Sequence, residues 1–305
     1  MTLHIQTPLF ESRPLSLAAG RAVWLKLDAL QPCGSFKLRG VGHACEVHHG
    51  RGARHFVSSS GGNAGLAVAY AGRQLGVPVT VVVPETTTAR AKQLLRLEGA
   101  EVVVHGSSWQ EANQLALTLV GAEDAFIHPF DDPLLWAGHA SLIDEVAASA
   151  CKPDAVVLSV GGGGLLSGVV EGLKRNGWSD VPVLAVETEG AASLHAAMQA
   201  GHTVEIERLA SVATSLGAKR VAEQAMRCVE SHPVYSHRVS DKAALLACKR
   251  FLDDHRVLVE PACGAALALA ADAQALADYR NVLVVVCGGA TATLEQIDTW
   301  LATAQ

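Results

Sequence analysis

The chain has 305 residues, half of them apolar and 18% charged, with a formal net charge of −6. That composition excludes a disordered chain, and an acidic balance without a basic run speaks against binding nucleic acid or an anionic membrane. The length suits one large domain or two of ordinary size.

Met1 to Pro14 lacks the basic n-region and apolar h-region of a secretory leader. His55–Ser58 then reads as a strand, Ala64–Gly76 as a helix and Val79–Val83 as a strand. Ala89–Glu98 reads as a helix and Glu101–His105 as a strand. This βαβαβ order implies a parallel sheet, with Ala125–His128 as its fourth strand. After a helix around Gly138–Ser149 the pattern restarts: strand Ala155–Val160, helix Leu165–Arg175, strand Val183–Val186, helix Ala191–Ala200. The Ala-rich stretch Ala265–Leu276, broken by Asp272, is too short to span a bilayer. Val282–Val286 is an almost purely aliphatic strand, as expected when helices cover both faces of a sheet. The expected fold is α/β: two open, mostly parallel sheet domains, one over 38–135 and a larger one from 1–37 and 136–305. The cleft between them is the default ligand site.

Seven cysteines, scattered and without CxxC spacing, suit a reduced, cytoplasmic setting and not a disulfide framework or a zinc site. Apart from Cys33 and Cys287 they read as small buried hydrophobes.

In open α/β sheets, ligands collect beyond the carboxyl ends of strands. Four such ends carry unusual residues: Ser58 to Asn63, Gly161 to Gly164, Glu187, and Cys287-Gly288-Gly289. The four glycines, followed by a helix from Leu165, let backbone amides converge on a phosphate at a helix N-terminus. A tight turn needs only one of them. A rival reading is a dinucleotide fingerprint, because Gly162-x-Gly164-x-x-Ser167 nearly matches it and Glu187 lies at a suitable distance for a ribose hydroxyl. That rival would make the protein a nicotinamide-dependent dehydrogenase. A Walker loop is excluded, since no Lys-Ser/Thr pair follows the glycines.

Lys37 lies in Gln31–Gly40, in a Gly/Ser-containing turn just before an expected helix. A partly desolvated lysine has a depressed pKa and forms an imine with an aldehyde. Taken alone it also reads as a solvated lysine, with Phe36 as an ordinary core aromatic. Ser60-Gly61-Gly62-Asn63 offers amides and a hydroxyl for a carboxylate, and the Asn63 side chain can bond an oxygen on a ring. The plainer reading of that loop is helix capping.

Seven stretches together resemble the pyridoxal 5′-phosphate (PLP)-dependent serine/threonine dehydratases of the tryptophan-synthase-β fold type (fold type II). The likeness is greatest to the catabolic L-serine dehydratase and serine dehydratase-like branch. The stretches are Leu30–Gly40, Ser58–Gly65, Pro129–Ser141, Ser159–Gly168, Ala185–Gly190, Leu258–Ala265 and Val284–Gly289, in the family's order over nearly the whole chain. The resemblance implies that Lys37 carries the cofactor as an imine and acts as the base at Cα. It implies that Phe36 packs near the ring, that Asn63 bonds the ring hydroxyl, and that Ser60, Gly61, Gly62, Asn63 and Ala64 hold the substrate carboxylate. Amides of Gly161, Gly162, Gly163, Gly164 and Leu165 would hold the phosphate. Cys287 would face the pyridine nitrogen, and Glu187 would sit near the ring or the substrate. Carbonyls of Gly161, Ala191, Leu216 and Ala218 would bind a monovalent cation, potassium. A homodimer is also implied. Two departures are the thiol at 287, where many relatives have serine, and Gly61, where some have alanine.

The implied reaction is β-elimination from a small hydroxy amino acid, L-serine or L-threonine, giving pyruvate or 2-oxobutanoate plus ammonia. A neutral thiol cannot keep the pyridine nitrogen protonated as an aspartate would, which favours fast loss of the β-hydroxyl over transamination. The cofactor phosphate, held by neutral amides, would supply the proton to the leaving hydroxyl. Serine racemisation and β-replacement are the alternatives within the same fold.

The remaining titratable candidates read as structural. His48, His49 and His195 are expected to be surface or satisfied histidines, and Asp131-Asp132 a helix-capping loop. Arg39 is either structural or close to the cofactor.

Overall fold

The computed structural model describes residues 2–149 and 151–304; Met1 and Gln305, the outer limits of the expected larger domain, lie outside them. Among the described residues ten strands form two sheets. They are β1 (Leu9–Glu11), β2 (Ala22–Lys26), β3 (His55–Ser58), β4 (Val79–Val83), β5 (Glu101–Val104), β6 (Asp124–Phe126), β7 (Ala155–Ser159), β8 (Val183–Thr188), β9 (Val234–Val239) and β10 (Asn281–Val285). The helices are α1 (Arg13–Ala19), α2 (Lys37–Gly50), α3 (Asn63–Leu75), α4 (Ala89–Leu97), α5 (Trp109–Thr118), α6 (Pro133–Ala148), α7 (Gly164–Arg175), α8 (Ser193–Ala200), α9 (Glu223–Ser231), α10 (Asp241–His255), α11 (Pro261–Ala270) and α12 (Leu294–Thr303).

One sheet has the order β5-β4-β3-β6 and the other β1-β2-β10-β7-β8-β9. All pairings are parallel except β1 with β2. The expected βαβαβ run is therefore observed, and Ala125–His128 does pair, as the shorter Asp124–Phe126 beside β3. β4 and β7 are buried along their whole length, which explains their aliphatic composition. α11, almost entirely Ala, Leu and Gly, is buried against β7, β8 and β10. Burial at about 25 cal/mol per Å² of apolar surface is the main drive for these layers.

In the larger sheet β10, β7 and β8 are neighbours, so their carboxyl ends lie side by side. This brings Cys287, Gly161 and Glu187 to one edge. α2 and α6 meet at glycines: a Cβ on Gly138 would lie 2.5 Å from the Arg39 carbonyl. That close approach seats the start of α2, and Lys37 with it, against α6. Among the described residues no helix is long and apolar enough to cross a membrane.

Candidate active site

Lys37 is the first residue of α2. Its loop is tied to the end of β10, because Phe36 N donates to the Cys287 carbonyl at 3.0 Å and Gly289 N donates to the Gly34 carbonyl at 2.8 Å. The Lys37 amine donates to the Pro129 carbonyl at 2.5 Å and lies 5.3 Å from the centre of the Phe36 ring. Burial lowers its pKa to about 8, partly opposed by Cys287 and Glu260. The bland reading of Lys37 as a solvated surface lysine is thus excluded by its surroundings.

Phe130, next to Pro129, packs on the tetraglycine. A Cβ on Gly162 would collide with the Phe130 ring, and one on Gly164 would lie 2.7 Å from the Phe130 carbonyl. Gly163 alone has positive φ, +93°, and a Cβ there would lie 2.6 Å from Ala225 Cβ. A Cβ on Gly161 would lie 3.0 Å from Leu216 Cα. Only one of the four glycines is demanded by backbone conformation; the other three are demanded by close approach. The first intrahelical bond of α7 in the described structure reaches Gly163 from Ser167 N, at 2.9 Å. The amides before it come ahead of the first intrahelical bond, and no side chain caps the helix there, as at the usual anion site of a helix start.

Phe130 is itself fixed. Trp136 Nε1 donates to its carbonyl at 3.0 Å, and His128 Nδ1 accepts from Phe130 N at 3.2 Å and from Asp131 N at 2.7 Å. Burial and the nearby Lys37 charge lower the His128 pKa to about 4, so it stays a neutral acceptor. Asp132 caps α6 by accepting from Leu134 N at 2.7 Å, as the sequence suggests for this loop.

The Ser60–Ala64 segment opens α3. Its N-cap is Gly62, and no side chain caps the helix, so the capping interpretation fails for Ser60 and Asn63. Ser60 Oγ instead accepts from Gly62 N at 3.3 Å. The first bond of α3 runs from Leu66 N to the Gly62 carbonyl, which leaves the amides of Asn63, Ala64 and Gly65 for an anion. A Cβ on Gly61 would lie 2.8 Å from Thr87 Cγ2. The Asn63 side chain crosses to the other sheet: Oδ1 accepts from Ala290 N at 3.0 Å and Nδ2 donates to Glu260 Oε1 at 2.6 Å.

The Cys287 thiol is held well above its usual pKa, first by the neighbouring Cys263 thiol and then by burial, so it is neutral. All seven cysteines are free. Cys33, set apart in the sequence, is buried near Leu38 and Val41, and burial lifts it to about 12. Glu187 stands near the carboxyl end of β8, beside the strand that leads to Gly161. Its carboxylate accepts from Leu194 N and His195 N, both at 2.8 Å, at the start of α8. Burial raises its pKa to about 7. Among carboxylates, Glu260 favours the charged form of the Lys37 amine, against the larger effect of burial. Arg39 is structural: buried at 0% exposure, it donates to both oxygens of Asp28 and of Glu145. His195 Nδ1 lies 3.0 Å from Ser236 Oγ. Among the described residues no three His, Cys, Asp or Glu side chains could hold a metal together.

A profile of the family described as "Pyridoxal-phosphate dependent enzyme" matches residues 1–288. The chain belongs to that family. Among the most similar curated proteins is human L-serine dehydratase/L-threonine deaminase, 48% identical over 307 residues, covering 97% of this chain and 94% of that protein. A mouse serine dehydratase-like protein is 49% identical over 306 residues, covering 96% and 93%. Among solved structures, a fungal L-serine ammonia-lyase from Rhizomucor miehei superposes with a TM-score of 0.94 at 36% identity over 100% of both chains.

The residues of this PLP-family chain fit the cofactor. A buried amine with a pKa of about 8 suits an aldehyde, and the amides before Leu165 suit a phosphate. The neutral thiol of Cys287 follows β10, whose end is bonded to the Lys37 loop through Phe36 N. A dinucleotide would need ribose contacts from Glu187, whose carboxylate oxygens are both occupied at α8. His128 carries no local signature, and Glu260, although within the stretch Leu258–Ala265, is given no role by the sequence because its partners Asn63 and Thr291 are distant along the chain.

Proposed function

We propose that this chain converts L-serine, and L-threonine, to pyruvate or 2-oxobutanoate and ammonia. The substrate loses its Cα proton and β-hydroxyl; water then replaces the amine, which leaves as ammonia. When bound, PLP supplies an aldehyde for the substrate amine and an electron-withdrawing ring for the charge left at Cα. The observation that carries this reading is the Lys37 amine, depressed by burial to about 8 and bonded to Pro129, whose neighbour Phe130 packs on the glycine nest.

Lys37 is the residue assigned to the cofactor aldehyde and the base at Cα. At pH 7 about a tenth of an amine with this pKa is neutral, against less than about one part in a thousand for an ordinary lysine. Amides of Gly161 to Leu165 are assigned to the phosphate, Phe36, Asn63 and Cys287 to the ring, and the Ser60–Ala64 segment to the substrate carboxylate. The neutral Cys287 thiol leaves the ring nitrogen without a counter-charge, which supports elimination over amine transfer.

We also assign potassium to the carbonyls of Gly161, Ala191, Leu216 and Ala218. Support comes from the contact of Gly161 with the Leu216 backbone and from burial of Ala191 at the end of the turn Glu189–Ala191. The domain limits 38–135 and 1–37 with 136–305 belong to the same reading; each sheet lies within one of these units.

The test incubates PLP-loaded protein with L-serine, L-threonine or D-serine, with and without potassium. Oxo acid from the L-substrates, faster with potassium, is expected. Accumulation of D-serine from L-serine without oxo acid would instead mark a racemase.

A further inference from the structure

Glu260 is 4% exposed and sits at the N-cap of α11 without capping it. Its carboxylate is spent on tertiary partners. Oε1 accepts from Asn63 Nδ2 at 2.6 Å and Oε2 accepts from Thr291 Oγ1 at 2.7 Å. Gly289 lies so close that any Cβ there would overlap the Glu260 carboxyl group. One side chain thereby joins the start of α3, the segment after β10 and the start of α11.

The orientation of Asn63 follows from these bonds. Its Oδ1 is fixed by Ala290 N at 3.0 Å, and one Nδ2 hydrogen is fixed by Glu260. A flipped amide would set oxygen against carboxylate oxygen and N–H against N–H, two repulsive contacts in a buried site. The second Nδ2 hydrogen makes only a long bond, donated to Ser215 Oγ at 3.4 Å, which a better acceptor can replace. A carboxylate is the fitting partner here because it is acceptor-only and cannot reward the flipped state.

We propose that Glu260 is a positioning residue that locks the Asn63 amide so that its second N–H, otherwise weakly bonded to Ser215, can serve the ring hydroxyl of PLP. This rests on the assignment of Asn63 to the cofactor ring made above. Glu260 does not touch the reacting atoms in this scheme; it acts through Asn63 and ties that donor to the sheet that carries Cys287.

The test is a double-mutant cycle on the full-length protein, reading PLP affinity by titration of the apoprotein and the absorbance maximum of the bound cofactor. Asn63→Ala and Glu260→Met are each expected to weaken PLP binding about tenfold and to shift the maximum alike. The double variant should be no weaker than either single one. Glu260→Gln, whose oxygen can still accept from Asn63, should restore affinity and spectrum, which separates orientation from loss of folding. If Asn63→Ala has its effect while Glu260→Met leaves both readouts unchanged, or if the two losses multiply, Glu260 does not act through Asn63 and the inference falls alone. If Asn63→Ala changes neither readout, the assignment of Asn63 to the ring falls, and this inference with it.

Discussion

The Lys37 amine donates to the carbonyl of Pro129 at 2.5 Å, and so couples the start of α2 to the loop that carries Phe130. Phe130 closes against Gly162 and Gly164, so this one bond links the reactive amine to the anion nest. The two segments are far apart in sequence, and α6, packed on both α2 and α7, holds them in register.

Gly162→Ala tests that closure. The added methyl would collide with the Phe130 ring, whose backbone is held in place by Trp136 and His128. Overpacking of this kind costs about 1–3 kcal/mol. PLP affinity is expected to fall about tenfold or more, with a modest drop in Tm; unchanged affinity in a titration of the apoprotein would contradict the packing account.

The depressed pKa of Lys37 predicts a pH dependence of cofactor capture. Burial favours the neutral amine, so its folded pKa of about 8 lies below the model-peptide value of 10.5. The reactive form therefore grows as pH rises toward 8 and levels off above it, whereas an ordinary lysine would still be gaining near pH 10. The rate at which apoprotein gains visible absorbance from PLP, followed from pH 6.5 to about 9.5, checks this. A rate still climbing at the upper end would show an unperturbed amine.

Arg39→Ala should unfold the α2 anchor. Arg39 is fully buried and answers both Asp28 and Glu145, with Lys26 also bonded to Glu145. Removing it leaves carboxylates buried without their partner, which costs about 3–5 kcal/mol. Breaking the exposed Arg175–Asp144 pair by Arg175→Ala should cost about 0–1 kcal/mol. Urea denaturation of the two variants beside the parent separates these values, and equal losses would contradict the buried network.

Much of this was legible from local chemistry. Strands such as Val79–Val83 and Ala155–Ser159 announce themselves because helices bury both their faces. β9 does not, since this edge strand is partly exposed and reads VYSHRV. The three-residue β1 is too short for any period to show. The tetraglycine was conspicuous for a reason only partly the expected one: Phe130, Ala225 and Leu216 press on it, and one positive φ completes it. Glu260 and Asn63 are 197 positions apart, so no sequence spacing could pair them. Glu187 ends a strand among glycines, but that its oxygens accept from the first turn of α8 could not be read from the sequence.

The most direct test of the central assignment is chemical. Borohydride reduction fixes PLP to whichever amine it has joined, and peptide mass mapping then locates that amine. The added mass is expected on the peptide containing Lys37, and to vanish in Lys37→Ala together with the visible absorbance. Stoichiometric labelling of any other lysine, or a Lys37→Ala protein that keeps its colour, would contradict the account.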